Sequence, residues 1–154
     1  KDWALRKLRA VFSYQWGRQV ENLTDMSGLE VALSRNTGKI RHVKDGEDIL
    51  FTMVPATGLL TPTYSGGQRL LSAGIDKDYI VTMDNEVAEF VADGKSALAR
   101  FVKEAHENLR AGEEVLVVDE AGGLLATGKA LLTGKEMMQF SRGAAVLIRH
   151  SLNH

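Results

Sequence analysis

The chain has 154 residues, 44% hydrophobic and 25% charged, the composition of one ordinary folded domain or two small ones and not of a disordered segment. It has no cysteine, which removes disulfides, thiolate metal sites, iron–sulfur clusters and cysteine nucleophiles. No apolar run approaches the roughly 18 residues of a membrane span, so a cytoplasmic protein without a membrane partner is expected. The net charge of -1 gives no global basic field for nucleic acid. The charge is unevenly divided, however: residues 1–75 hold ten Lys and Arg against seven Asp and Glu (+3), and residues 76–154 hold nine against thirteen (-4).

Apolar residues recur at three- and four-residue steps from Trp3 through Leu5, Leu8, Val11 and Phe12 to Trp16. This predicts a helix from Asp2 to about Val20, with Asp2 as its N-cap and Arg6, Lys7 and Arg9 off the apolar stripe. Trp3, Phe12 and Trp16 are read as core; stacking of bases on an exposed ring is the alternative. Leu29 to Ser34 alternates as a strand. Arg35-Asn-Thr-Gly-Lys forms a turn, Ile40 to Val43 a second strand, Asp45-Gly46 a second turn, and Ile49 to Val54 a third strand. Leu59-Leu-Thr-Pro-Thr-Tyr64 is a short extended piece, after which Tyr64 or Ser65 opens a helix through Leu71. The first half is therefore expected to be a helix, a three-stranded meander and a second helix. Gly74-Ile-Asp-Lys-Asp78 is short and polar, and it predicts a boundary between two domains, 1–75 and 76–154, packed against each other.

The second half is richer in strands. Tyr79 to Met83 is expected to be a strand, and Asp84 or Asn85 to cap a short helix through Ala92 that ends at Gly94. Leu98 to Lys103 reads as one strand with Leu98, Arg100 and Val102 on one face. Glu113 to Asp119 and Leu124 to Leu131 are two more, joined at Gly122-Gly123. Thr133 and Glu136 have capping-box spacing, and Arg142-Gly143 leads into a last strand from Ala144 to Arg149. Many short strands with two short helices predict a compact barrel-like domain, and the whole chain is of the α+β class.

A search for chemistry returns little. The glycines do not form a dinucleotide or phosphate-loop pattern, and there is no serine elbow. Asp84, Glu86 and Glu89 have the spacing of residues that cap and solvate one helix. His42, His106, His150 and His154 do not assemble a ligand set. No catalytic residue, metal or cofactor is therefore expected. Nucleic-acid contact is the more productive reading, because phosphates are held by Lys and Arg and by open backbone amides. Gly94-Lys95-Ser96 supplies a closely approachable backbone, a cation and a hydroxyl. Arg100 and Lys103 follow, then Arg142-Gly143 and Arg149. From sequence alone each is equally compatible with a solvated surface; a barrel is what would bring the residue-95 loop beside the last strand.

Four segments carry a family resemblance: Val87-Ala-Glu-Phe-Val-Ala-Asp-Gly-Lys-Ser96, Arg110-Ala-Gly-Glu-Glu-Val115, Ala126-Thr-Gly-Lys-Ala130 and Arg142-Gly-Ala-Ala-Val146. Together, residues 79–150 resemble a PUA domain, a small RNA-binding pseudo-barrel. Tyr14-Gln-Trp-Gly17, Ser34-Arg-Asn-Thr-Gly-Lys-Ile-Arg-His-Val43 and Gly58-Leu-Leu-Thr-Pro-Thr63 resemble the pre-PUA region of the archaeal tRNA-guanine transglycosylases and related archaeosine synthases. The resemblance implies a pre-PUA α+β domain followed by a PUA domain that grips the acceptor stem and 3′ end of tRNA in support of archaeosine formation. A catalytic transglycosylase-like chain would be a second partner. It implies RNA contacts at Gly94, Lys95, Ser96, Arg100, Lys103, Arg142, Gly143 and Arg149.

Overall fold

The computed structural model describes residues 2–25 and 28–153. The chain divides into two compact units, Lys1–Ile75 and Asp76–His154.

In the first unit, helix α1 (Asp2–Trp16) buries Ala4, Leu8, Phe12 and Trp16, a single row at four-residue steps. A row that narrow leaves no place for a residue one position earlier, about 100° round the helix. Trp3, expected in the core, is accordingly 45% exposed. Asp2, expected as the N-cap, is itself within the helix. The helix stops at Trp16 and not near Val20: the chain turns at Gly17 into a 3-10 segment, Arg18–Asp25, which buries Val20 and Leu23.

Strands β1 (Leu29–Leu33), β2 (Ile40–Asp45), β3 (Asp48–Met53) and β4 (Leu60–Pro62) form an antiparallel sheet in that order. The expected three-stranded meander thus gains a fourth strand. Three residues with a proline make a poor strand unless it is an edge. Here the Gln15 side chain supports β4, donating to the Leu60 carbonyl at 2.9 Å and accepting from the Leu60 amide at 2.7 Å. Phe51 of β3 meets Phe12 edge-on with centroids 5.0 Å apart and lies 5.9 Å from Trp16. All three rings are buried, which contributes about 2–3 kcal/mol each. Helix α2 (Tyr64–Ser72) begins at Thr63, whose hydroxyl accepts from the Gly66 amide at 3.1 Å.

The second unit is a six-stranded sheet wound into a nearly closed pseudo-barrel, with order β6-β10-β9-β8-β5-β7. Its strands are β5 (Ile80–Met83), β6 (Ala97–Leu98), β7 (Val102–Ala105), β8 (Glu114–Val118), β9 (Leu124–Ala130) and β10 (Ala144–Ser151). β5 and β8 run parallel; the other pairs are antiparallel. The inward residues Val81, Met83, Val115, Val117, Leu125 and Val146 form one core with Val91 of α3 (Ala88–Ala92) and Met137 of α4 (Gly134–Gln139). Asp84 caps the 3-10 turn Asn85–Val87, which runs into α3. At α4 the Thr133 and Glu136 capping box forms as its spacing predicts. The stretch expected as one strand, Leu98 to Lys103, is instead divided by a 3-10 turn, Ala99–Phe101, which carries the chain from the β6 end of the sheet to the β7 end. Among the described residues no helix is long and apolar enough to cross a membrane.

Candidate nucleic-acid interface

The site is built where β6 meets β10. Ala97 pairs with Val146 and Leu98 with Ala144, and the Ala99 amide donates to the Gly143 carbonyl at 2.9 Å. This pairing brings two segments together that lie some 45 residues apart in sequence. Arg100 and Arg142 now flank one shallow cleft of about 210 Å³, completed by Leu98, Ser141 and Gly143. Both arginines are exposed. The Arg100 guanidinium rests 4.6 Å from the centre of the Phe101 ring, a cation–π contact that holds the side chain without neutralising it. Gly143 has φ 91° and open space where a β-carbon would stand. Only glycine adopts that backbone without strain, and its missing side chain leaves the main chain open to a ligand.

The loop after α3 lies along the same strand. The Gly94 amide donates to the Val91 carbonyl and the Lys95 amide to the Phe90 carbonyl, each at 2.9 Å, so the loop is tied to the helix end. Its far side is anchored to the end of the chain: the Asn153 amide donates to the Ala92 carbonyl at 2.9 Å, and the Asn153 side chain donates to Asp93 at 2.6 Å. Lys95 and Ser96 project from this tether and are exposed.

Two of the expected cations are differently placed. Arg149 is committed to Glu114 of β8, donating at 2.6 Å across the outer face of the sheet. Glu114 is 11% exposed at its side chain, and burial raises its pKa above the ordinary carboxylate value although Arg149 and Lys129 pull the other way. Lys103 lies on β7, 3.9 Å from the Asp84 carboxylate. Arg100, Arg142 and Gly143 are therefore gathered at one end of β10, and Gly94, Lys95 and Ser96 lie beside the same strand. Arg149 and Lys103 carry carboxylate neighbours elsewhere. Sequence reasoning missed Leu98 and Ser141 as cleft walls; the position of Ser141 directly before Arg142-Gly143 was the available signal. Glu114 as the partner of Arg149 had none, since 35 residues separate them. Among the described residues no group of three His, Cys, Asp or Glu is placed to hold a metal ion.

A nearly closed six-stranded pseudo-barrel of this kind is the architecture of a PUA-type domain. Residues 79–152 match the PUA domain family, and residues 6–74 match the patch-forming domain C2 of tRNA-guanine transglycosylase. The chain thus carries a PUA domain preceded by a patch-forming C2 domain. It is 39% identical over 145 residues to a tRNA-guanine(15) transglycosylase from Methanothermobacter thermautotrophicus, a match covering 94% of this chain and 22% of that relative. The chain thus spans about one fifth of the length of the curated relatives it matches. Two solved structures share the fold. A hypothetical protein from Pyrococcus horikoshii has TM-score 0.74 and 21% identity, covering 100% of this chain and 93% of that one. A conserved PUA domain protein from Thermoplasma acidophilum has TM-score 0.64 and 21% identity, covering 95% and 91%.

Proposed function

We propose that this chain is an RNA-binding module of a tRNA-modification system of the archaeosine type, holding tRNA at its acceptor stem and 3′ end. The observation that carries the reading is the cleft of Arg100, Arg142 and Gly143, which offers two guanidinium groups, neither in a salt bridge among the described residues, around an open backbone. That is the chemistry a phosphodiester or the 3′ end of an RNA strand requires. Lys95 and Ser96, exposed on the loop just before β6, would extend it. The curated relatives are named for guanine 15 of tRNA, and the reaction itself is assigned to a transglycosylase-like catalytic chain. This chain would supply grip and orientation, and Arg149 would join it only when released by Glu114.

The test is binding of one tRNA, with and without its 3′-terminal CCA, across a salt series. Salt-dependent binding that weakens on CCA removal is expected. Arg142→Gln should lower the salt slope by about one unit. Absence of binding in low salt would refute the reading and transfer the role to docking a catalytic chain.

A further inference from the structure

We infer that the open edge of β1 is a self-docking site, where a second copy of this chain adds its own β1 antiparallel and continues the four-stranded sheet across a two-fold axis. The inference is independent of the RNA-binding reading, because none of its residues lies in the PUA cleft. β1 is the first strand of the order β1-β2-β3-β4, and among the described residues no strand pairs with it on the side away from β2. An open edge presents unpaired backbone amides and carbonyls, a template for another strand. The opposite edge of this sheet is protected: β4 has only three residues, ends in Pro62 and is held by the Gln15 side chain. β1 runs for five residues, Leu29-Glu-Val-Ala-Leu33, without proline, lysine or arginine. The bulge in its pairing lies on β2, where Ala32 pairs with His42 and Leu33 with Ile40, so β1 itself is regular.

Apolar surface lies along this edge. A groove of about 350 Å³ runs between the start of α1 and β1, with Trp3 and Leu5 on one side and Leu29, Val31 and Leu33 on the other. Trp3 is 45% exposed, Leu33 41% and Leu5 37%. Side chains alternate across a strand, so Leu29, Val31 and Leu33 share one face. A strand added at β1 satisfies the open backbone groups and sets its alternate side chains beside these three, next to the Trp3 ring.

The sequence of β1 selects a copy of itself as the occupant. A two-fold axis perpendicular to the sheet at Val31 opposes Leu29 to Leu33 of the second copy, Val31 to Val31 and Glu30 to Ala32. All of β1 is paired in this register. A shift by two residues one way sets Glu30 against Glu30 of the second copy, and the other way leaves Leu29 and Glu30 unpaired. In the centred register Leu29, Val31 and Leu33 of both copies make one apolar row, and cross-strand pairs of that kind stabilise a sheet. Glu30, the one charged residue of β1, already has Lys44 opposite it on β2. It therefore stands between its own Lys44 and Ala32 of the second copy, and the seam opposes no like charges. An axis perpendicular to the sheet also places the two α1 helices on the same face, so that Trp3 and Leu5 of both copies border the seam, as an isologous interface requires.

The experiment measures the oligomeric state of the full chain by sedimentation velocity across a concentration series, with tryptophan emission followed on the same samples. The interface is small, so association on the order of 10–100 µM is expected, with a blue shift as Trp3 leaves water. Trp16, the other tryptophan, is fully buried and contributes a constant background. Leu29→Lys and Leu33→Glu, made in separate chains, each put a charge into the apolar row twice per dimer and should each weaken association about tenfold or more. Neither charge is repelled within its own copy, since Asp45 lies opposite Leu29 and Ile40 opposite Leu33, and circular dichroism should show both variants folded. Mixed, the two variant chains set their opposite charges against each other at the 29–33 pair and should regain association to within about threefold of the parent; an unfolded variant cannot give that rescue. A parent chain that stays monomeric with unchanged emission overturns the inference. So does a dimer that both variants leave intact, because the chain then associates elsewhere. A mixture that associates no better than either variant alone overturns it too, because the register is then wrong. Emission that shifts only when a transglycosylase catalytic chain is added gives the edge to that partner and overturns it as well.

Discussion

Replacing Arg149 by glutamine tests whether this residue belongs to the barrel or to its ligand. In the folded chain the guanidinium donates at 2.6 Å to a Glu114 carboxylate whose side chain is 11% exposed, while its own is 32% exposed. Removing it leaves a nearly buried carboxylate without its guanidinium partner. Orphaning a buried charged acceptor costs about 1–3 kcal/mol, more when burial is complete. Because water reaches the arginine side of this pair, about 1–2 kcal/mol is expected here. The double variant Glu114→Gln, Arg149→Gln removes the orphan and should recover most of that loss. The pH dependence follows in sign: the folded-state pKa of Glu114 is raised, and removing Arg149 raises it further. The penalty is therefore full above that pKa and disappears as pH falls through it and the carboxyl becomes neutral. Urea unfolding should be followed by far-UV circular dichroism, since Trp3 and Trp16 both lie in the first unit and their fluorescence does not report the barrel. If the single and double variants are equally unstable, or the loss is the same at pH 7 and pH 4, the orphaned carboxylate is not its cause.

Two further outcomes concern stability. Phe12→Ala should cost about 3–5 kcal/mol and shift the tryptophan emission to the red, because the lost ring is fully buried and lies 6.1 Å from Trp16; unchanged emission would mean that the ring cluster does not shield the indole. Gly134→Ala should cost about 1–3 kcal/mol by circular dichroism, because a β-carbon there runs into the His106 carbonyl, and an unchanged transition would mean that this approach relaxes freely.

Much of the fold was legible because local signals and tertiary structure agree. The Thr133 and Glu136 spacing produced a capping box, and the apolar run of β8, turned back at Gly122-Gly123 into β9, produced buried strands. The misreadings arise where a tertiary partner decides. Trp3 has the right spacing for an apolar stripe, but the sheet accepts a seam one row wide, and nothing local to α1 states that width. β4 is a strand because Gln15, 45 residues away, supplies hydrogen bonds to Leu60. Arg100 sits in a 3-10 turn and not on a strand, because the chain must pass between the two ends of the sheet there. For the candidate site, the cations could be named in sequence, but their sorting could not. Whether an arginine is available depends on a carboxylate brought to it by the fold, as with Arg149, or on a ring beneath it, as with Arg100.

The pairing of β6 with the first residues of β10 sets a timetable. The Gly94 loop precedes its supports in the sequence: β6 beside it finds its partner only in residues 144–146, and Asp93 its clasp only in Asn153. The parallel pairing of β5 with β8 likewise spans more than 30 residues of intervening chain. Contacts of such separation form late and slowly. A nascent chain that has already buried the Phe12, Trp16 and Phe51 cluster still has no cleft at Arg100 and Arg142 while β10 is unmade. The core of the first unit and the cleft of the barrel are thus reached at different times, the cleft only once residues 144–146 are available.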